Sequence, residues 1–291
     1  MSDEIRQDTK GDNLFGAVTS VTQFIRTGLD GSAKLEVVLH FPPGDGPFPL
    51  AVMNHGSTGD GKNPAFFGET WSFTPLADFL TRRGWMVAFP QRRGRGKSDG
   101  SYDEGFCDDR TKGYACGDSK EEIELSLRGA DRALQDIEAA IATLRQHPLV
   151  TPSRILIGGV SRGGALSVAY AGEHPEQIHG VLNFVGGWVD DDCTYSADIN
   201  RQVLVRGGAP FDRPMLWLYG RRDMFYSMPH IRSHFESFKA AGGRGTLKVF
   251  EPQGKFGNSP LDSGHSLMRF PELWSTDVNL YLDELEKLRS P

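Results

Sequence analysis

The chain has 291 residues, 38% hydrophobic and 24% charged, which suffices to bury one large core. A formal charge of −6 argues against nucleic acid or an anionic membrane as partner, because those interfaces are driven by cationic patches, so a small solute is the expected ligand. No apolar stretch approaches the roughly 18 to 20 residues of a membrane span, and Met1 to Asn13 is polar rather than export-like, so a cytoplasmic protein is expected.

Taken in chain order, Val18 to Thr27 and Ala33 to Phe41 read as two extended runs around Asp30-Gly31, a hairpin signal. The pattern then changes. Leu50 to Asn54 is a short apolar strand running into His55-Gly56-Ser57-Thr58-Gly59; Phe73 to Arg83 has helical spacing, and Trp85 to Phe89 is the next strand. Ser98 to Glu122 is irregular and polar. Leu125 to Gln146 sets Leu127, Ala130, Leu134, Ile137 and Ile141 on one helical face. An apolar run from Arg154 to Val160 is followed by an amphipathic stretch from Gly164 to Glu173. Strand Gly180 to Val185 comes next, then a connection containing a short helix, strand Met215 to Tyr219, helix Met228 to Ala241, strand Thr246 to Phe250 and a terminal helix from about Phe270 to Leu288.

Short, nearly continuous apolar strands separated by helices specify an α/β protein: a mostly parallel sheet covered on both faces, with an antiparallel hairpin at its start. No Pro/Ser linker, repeat or low-complexity tract interrupts the alternation. One domain over 1–291 is expected, its core from about 18 to 288 and residues 1–13 a flexible lead. Ligands in such folds sit at the carboxyl ends of the strands.

Cys107 and Cys116 lie in the polar stretch, and Cys193 follows Asp190-Asp191-Asp192. An odd count without C-x-x-C spacing reads as free thiols rather than zinc ligands, although any pair could form a disulfide.

Gly159-Val160-Ser161-Arg162-Gly163 is G-x-S-x-G with a strand before it and a helix after it. A serine on such a tight turn is forced into an uncommon backbone geometry, small neighbours let helix and strand approach, and the hydroxyl stands at the top of the sheet. The bland reading is an ordinary glycine-rich turn; the flanking strand and helix favour a nucleophile. Serine is weak at its free pKa, so it needs a base and a group that orients the base. Gly220-Arg-Arg-Asp223 puts a carboxylate just past a strand, making Asp223 the expected orienting acid, with Asp190 as rival and a local helix cap as the structural alternative. His265, in the small-residue loop Asp262-Ser-Gly-His-Ser266, is the expected general base, while His230 and His234 fall on a polar helix face and read as solvated. The order Ser161, Asp223, His265 is that of the α/β-hydrolases.

Acyl transfer also creates an oxyanion, for which the backbone N–H groups of Arg162 and Ser57 are the expected donors. The His55 side chain reads as structural. No cofactor or metal is called for, and no H-E-x-x-H spacing is present. Trp188, Phe225, Tyr226 and Phe256 cluster in the same loops and read partly as core and partly as pocket wall. Arg92, Arg93, Arg95, Arg221 and Arg222 serve either in loop-stabilising ion pairs or, one of them, in recognising an anionic group on the substrate; Arg222 is the candidate.

On these residues the chain resembles an α/β-hydrolase of the dienelactone hydrolase-like group, over roughly Leu50 to Leu288. Arg93-Gly-Arg-Gly-Lys-Ser-Asp-Gly100 is similar to a loop of bacterial acyl-peptidase and cocaine-esterase-like members. Dienelactone hydrolases proper resemble G-x-C-x-G at the nucleophile; Ser161 departs from that and shifts the expectation toward simple esters. The resemblance implies a serine hydrolase of carboxylic ester class working through an acyl-enzyme on a small-molecule ester. Peptide or amide cleavage and acyl transfer would use the same residues, and a non-catalytic binding module of the same fold is a further alternative. Oligomeric state is left open by the sequence.

Overall fold

The computed structural model describes residues 19–27, 33–58, 64–105, 119–208, 210–251 and 263–288. Within them eight strands form one sheet: β1 (Thr19–Thr27), β2 (Ala33–Phe41), β3 (Phe48–Asn54), β4 (Met86–Pro90), β5 (Val150–Val160), β6 (Gly180–Phe184), β7 (Met215–Gly220) and β8 (Gly245–Phe250). Their spatial order is β1-β2-β4-β3-β5-β6-β7-β8. The two pairings made by β2 are antiparallel and the rest are parallel, so the expected opening hairpin strands lead into a parallel sheet. The connecting Asp30-Gly31, like Met1 to Asn13, Cys107, Cys116, Phe256 and Asp262, lies outside the described residues.

β4, β6 and β7 are buried at every position, as strands covered on both faces must be. The coverings are α1 (Thr74–Arg82), α2 (Lys120–Leu144), α3 (Arg162–Glu173), α4 (Ser196–Leu204), α5 (Met228–Ala240) and α6 (Pro271–Lys287). Side chains on a strand alternate between faces. On β6 the Cα of Gly180 looks onto Leu285 of α6, whereas Asn183, on the other face, meets Gly164 of α3. Thus α6, with α1 beside it, covers one face; α3, in series with α2, α4 and α5, covers the other. Among the described residues no helix is long and apolar enough to cross a membrane.

Two sequence expectations need correction. Cys193 is disulfide-bonded, so it is not a free thiol; spacing rules cannot see pairings made only by the fold. His230 and His234 are not solvated. His234 is 4% exposed, its Nε2 is 2.7 Å from Nε2 of His230, and Nδ1 of His230 pairs with Asp191. Helical periodicity marked their face as polar, but the β6–α4 connection folds over it.

The sheet's central feature is where β5 ends. Ser161 sits at φ 56°, ψ −124°, a conformation costly for a residue with a side chain, and α3 begins at the next residue. The turn is held by Ser161 N–H donating to the Phe184 carbonyl at 3.0 Å and by the Gly164 N–H donating back to the Ser161 carbonyl at 2.9 Å. Close approach makes it possible. A Cβ at Gly163 would collide with the carbonyl oxygens of Asn54 and His55 on β3 and the loop behind it. Gly163→Ala is therefore expected to lose about 1–3 kcal/mol of stability through overpacking against rigid backbone. An unchanged urea midpoint in that variant would show that the elbow does not depend on this contact.

Candidate active site

Three strand ends converge on Ser161. From β3 comes the His55-Gly56-Ser57 loop: a Cβ on Gly56 would lie 3.1 Å from the Ser161 Cβ, so the loop backbone passes directly against the serine, with Ser57 partly exposed next to it. Arg162, the other expected oxyanion donor, is the first residue of α3. The Ser57 and Arg162 N–H groups thus belong to the two segments that flank the serine, the loop after β3 and the start of α3.

From β7 comes Asp223. Its side-chain carboxylate is fully buried and faces Nδ1 of His265 at 2.9 and 3.1 Å. The same Oδ1 accepts the N–H groups of Phe225 at 2.9 Å and Tyr226 at 3.2 Å, so Asp223 both fastens its own loop and engages the imidazole. The local-cap and functional readings of this residue are compatible. The rival, Asp190, accepts the Asp192 N–H at 2.9 Å and has a raised pKa, chiefly from burial.

His265 reaches Asp223 because Gly264 carries no side chain. A Cβ there would stand 2.7 Å from the Asp223 amide nitrogen and strike the Arg221 carbonyl, so the two loops touch backbone to backbone. The Gly264 N–H donates to the Arg222 carbonyl at 3.0 Å, and the Ser263 hydroxyl accepts the His265 N–H at 3.2 Å. Nε2 is left as the ring nitrogen for the site. The Phe225 ring packs edge-on to the imidazole at 4.6 Å, and the Tyr226 ring lies 5.6 Å from it.

The Tyr226 hydroxyl lies against Gly187, whose N–H donates to the Ser161 carbonyl at 3.3 Å. The structure thus pairs His265 with Asp223, and the Tyr226 ring packs beside both the His265 imidazole and Gly187. Trp188 stands differently from a pocket wall. It is 1% exposed, donates its ring N–H to Ser126 at 3.0 Å and lies under the Arg162 guanidinium at 4.2 Å.

A cluster that sequence reasoning missed lies beneath the His55-Gly56-Ser57 loop. Arg92, 1% exposed, donates from Nη1 to the His55 carbonyl at 3.0 Å, and its backbone N–H donates to His55 Nε2 at 3.1 Å. Its guanidinium pairs with Glu104, 3% exposed. The same carboxylate accepts the Tyr102 hydroxyl at 2.7 Å and lies 3.7 Å from Arg162, whose Nη1 donates to the Glu104 carbonyl at 2.6 Å. Burial opposes the charge on Arg92, but Glu104 outweighs it and raises the arginine's pKa. His55 goes the other way: burial first, then Arg92 and Arg95, hold it well below its ordinary value, so it is a neutral ring bracing the loop. The signal available in the sequence was the R-R-G-R-G run, which marked cations near strand ends without revealing which carboxylate they shared.

The remaining arginines divide in the same manner. Arg93 pairs with Asp136 of α2 at 2.6 Å, Arg221 pairs with Glu251 at 2.7 Å, and Arg95 donates to the Glu69 carbonyl at 3.0 Å. Arg222 is exposed at φ 59°, and its side chain makes no hydrogen bond or ion pair among the described residues.

The model of the dienelactone hydrolase family matches residues 64–255. Among solved structures, the chain is similar to an esterase of Pyrococcus furiosus at 17% identity and a TM-score of 0.62, covering 92% of this chain and 90% of that one. An acetyl xylan esterase from a Thermoanaerobacterium species has 15% identity and a TM-score of 0.59, over 91% of this chain and 87% of its own. A Butyrivibrio proteoclasticus protein with ferulic acid bound has 16% identity and a TM-score of 0.56, over 79% and 89%. No curated protein matches the chain.

Removing one partner from a buried ion pair strands the other charge, so Glu104→Gln, which leaves Arg92 and Arg162 without their carboxylate, is expected to lose about 3–5 kcal/mol. Chemical denaturation measures this. A loss below about 1 kcal/mol would mean that water or another acid replaces Glu104.

Proposed function

Because the chain belongs to the dienelactone hydrolase family, whose model matches residues 64–255, we propose that it is a serine hydrolase cleaving small carboxylic esters through an acyl-enzyme. One observation carries this reading: a serine held at φ 56° on a strand-to-helix elbow shares its strand ends with an imidazole whose Nδ1 sits 2.9 Å from a buried carboxylate.

In this mechanism Nε2 of His265 takes the Ser161 proton as Oγ attacks the ester carbonyl. Asp223 fixes the tautomer that leaves Nε2 free and stabilises the imidazolium that forms. The oxyanion is met by the N–H groups of Ser57 and Arg162. His265 then protonates the departing alcohol, and water, deprotonated by the same imidazole, releases the acid and restores the serine. Ser161 is the feature that favours esters here, and similarity to solved esterases supports the fold on which this chemistry is placed. Arg222, exposed beside Asp223, is the residue we assign to an anionic group on the substrate, with Phe225 and Tyr226 as aromatic walls.

Ser161→Ala is expected to remove p-nitrophenyl ester hydrolysis by about 10³-fold or more while leaving the fold intact. Retention of a tenth of wild-type kcat would mean a different nucleophile. Asp223→Asn should cost about 10³–10⁴-fold because an amide cannot hold the imidazole or stabilise its cation, and Asp190→Asn should be mild. A pH profile adds a second check: kcat/KM should rise with pH to a plateau, since only neutral imidazole accepts a proton, and His265→Ala should lose both plateau and rate whereas His230→Ala keeps the profile. The reverse pattern for either pair would overturn the assignment.

A further inference from the structure

His55 takes no part in the proton transfers of that mechanism, yet its fully buried ring is bonded to the loop that carries the Ser57 N–H. Two contacts fix its tautomer. The backbone N–H of Arg92 donates to Nε2 at 3.1 Å. A backbone amide nitrogen only donates, so Nε2 holds a lone pair and the proton of the neutral ring sits on Nδ1. That Nδ1–H donates to the Gly56 carbonyl oxygen at 2.7 Å. Nη2 of Arg92 lies 3.4 Å from the same oxygen and 3.1 Å from Nδ1, so two donors converge on one carbonyl. Burial first, then Arg92 and Arg95, hold the ring's pKa well below its ordinary value, and this tautomer persists at neutral pH.

The Gly56 carbonyl and the Ser57 N–H share one peptide plane. That plane is trans, so the two groups point in opposite directions. With its oxygen fastened to the ring, the peptide directs the Ser57 N–H away from the buried cluster. Gly56 is the reason a fastening is needed. A residue without a side chain lets the plane that follows it rotate at little cost. Close approach to the elbow nevertheless requires one here, since a Cβ on Gly56 would lie 3.1 Å from the Ser161 Cβ and 3.2 Å from the Val160 carbonyl oxygen. The loop therefore sets a weakly restrained peptide beside the serine, and His55 restrains it.

We propose that His55 is a positioning residue of the reaction, whose Nδ1–H holds the Gly56–Ser57 peptide in the orientation that presents the Ser57 N–H to the oxyanion. The proposal rests on the serine-hydrolase reading, in which that N–H is a donor to the tetrahedral intermediate. The ring itself exchanges no proton. Without its bond the peptide turns, and a turned plane sets a carbonyl oxygen where negative charge develops. That charge belongs to the transition state and not to the bound ester, so the loss falls on kcat rather than KM.

His55→Asn and His55→Gln separate the two ring nitrogens. The Asn carboxamide nitrogen takes the place of Nδ1 and keeps a donor for the Gly56 carbonyl, whereas Gln carries its amide to the place of Nε2 and leaves that carbonyl unmet. With p-nitrophenyl acetate, kcat per fluorophosphonate-labelled site is expected to fall about 10²-fold or more in His55→Gln with KM within about threefold, and to recover to within about tenfold of wild type in His55→Asn. Both variants lose the imidazole and should lower Tm alike, so a ring that merely fills space would give equal losses. The apparent pKa of the kcat/KM profile should stay at its wild-type value in both. Equal turnover by the two variants, a loss expressed as raised KM, or a displaced pH profile would overturn the proposal. The wild-type chain supplies a check that needs no variant: NMR of the imidazole nitrogens should show His55 neutral and protonated at Nδ1, and a ring protonated at Nε2 overturns the proposal. Failure of a fluorophosphonate to label Ser161 in the wild-type chain overturns the hydrolase reading itself and this inference with it.

Discussion

The carboxylate of Glu104 is the constraint on which the site rests. It joins two buried guanidiniums that grip different parts of the molecule: Arg92 holds the loop after β3 and Arg162 opens the helix after β5. Two buried cations without a counter-charge would be intolerable in a medium of low dielectric, and Glu104 is what permits both. Its own place is fixed by a backbone contact, since a Cβ on Gly129 of α2 would lie 2.5 Å from the Glu104 carbonyl carbon. In this way the packing of a helix on the outside of the sheet determines the relative position of the Ser57 and Arg162 N–H groups. Net positive charge is left beneath the loop after β3, with neutral His55 acting only as a brace.

Strain and glycine are coupled throughout the site. Positive φ at Ser161 and Arg222, 56° and 59°, occurs just where a strand must turn its last residue toward the ligand side. Each strained turn is backed by a glycine whose missing side chain admits another strand's backbone: Gly163 under Asn54 and His55, Gly264 against Arg221 and Asp223. The surrounding contacts hold these conformations in place, which is how strained geometry persists at reactive positions.

The acid loop is bound on its other side by the β6–α4 connection. The Asp191 N–H donates to the Phe225 carbonyl at 2.9 Å, the Asp191 carboxylate accepts the Ser227 N–H at 2.7 Å, and the same carboxylate engages His230. His234 behind it is held neutral, its pKa lowered to about 3 chiefly by burial. These histidines therefore organise the wall that carries Tyr226 and Phe225, at a distance from the proton transfers assigned to His265.

By itself the sequence determined the parallel sheet, the elbow and the chain positions of Ser161, Asp223 and His265. The physical reason is that local rules govern them: apolar runs of strand length, a small-residue turn between strand and helix, and polar loops at strand ends. The opening hairpin strands were equally legible from alternation around Asp30-Gly31. Tertiary structure alone decided which charge met which. Arg92 and Glu104 are separated by a polar stretch with no periodicity, and nothing in the sequence distinguishes Glu104 from the acids around it. His230 and His234 lie on a helix face that looks solvated until the β6–α4 connection covers it. Cys193 gave no sign of its disulfide because pairing depends on distance in space. Tyr226 read as one aromatic among several; its hydroxyl gained a distinct place only when the loop after β7 folded over Gly187. Periodicity encodes elements and their order, whereas the pairing of buried polar groups is fixed by close packing between residues far apart in the chain.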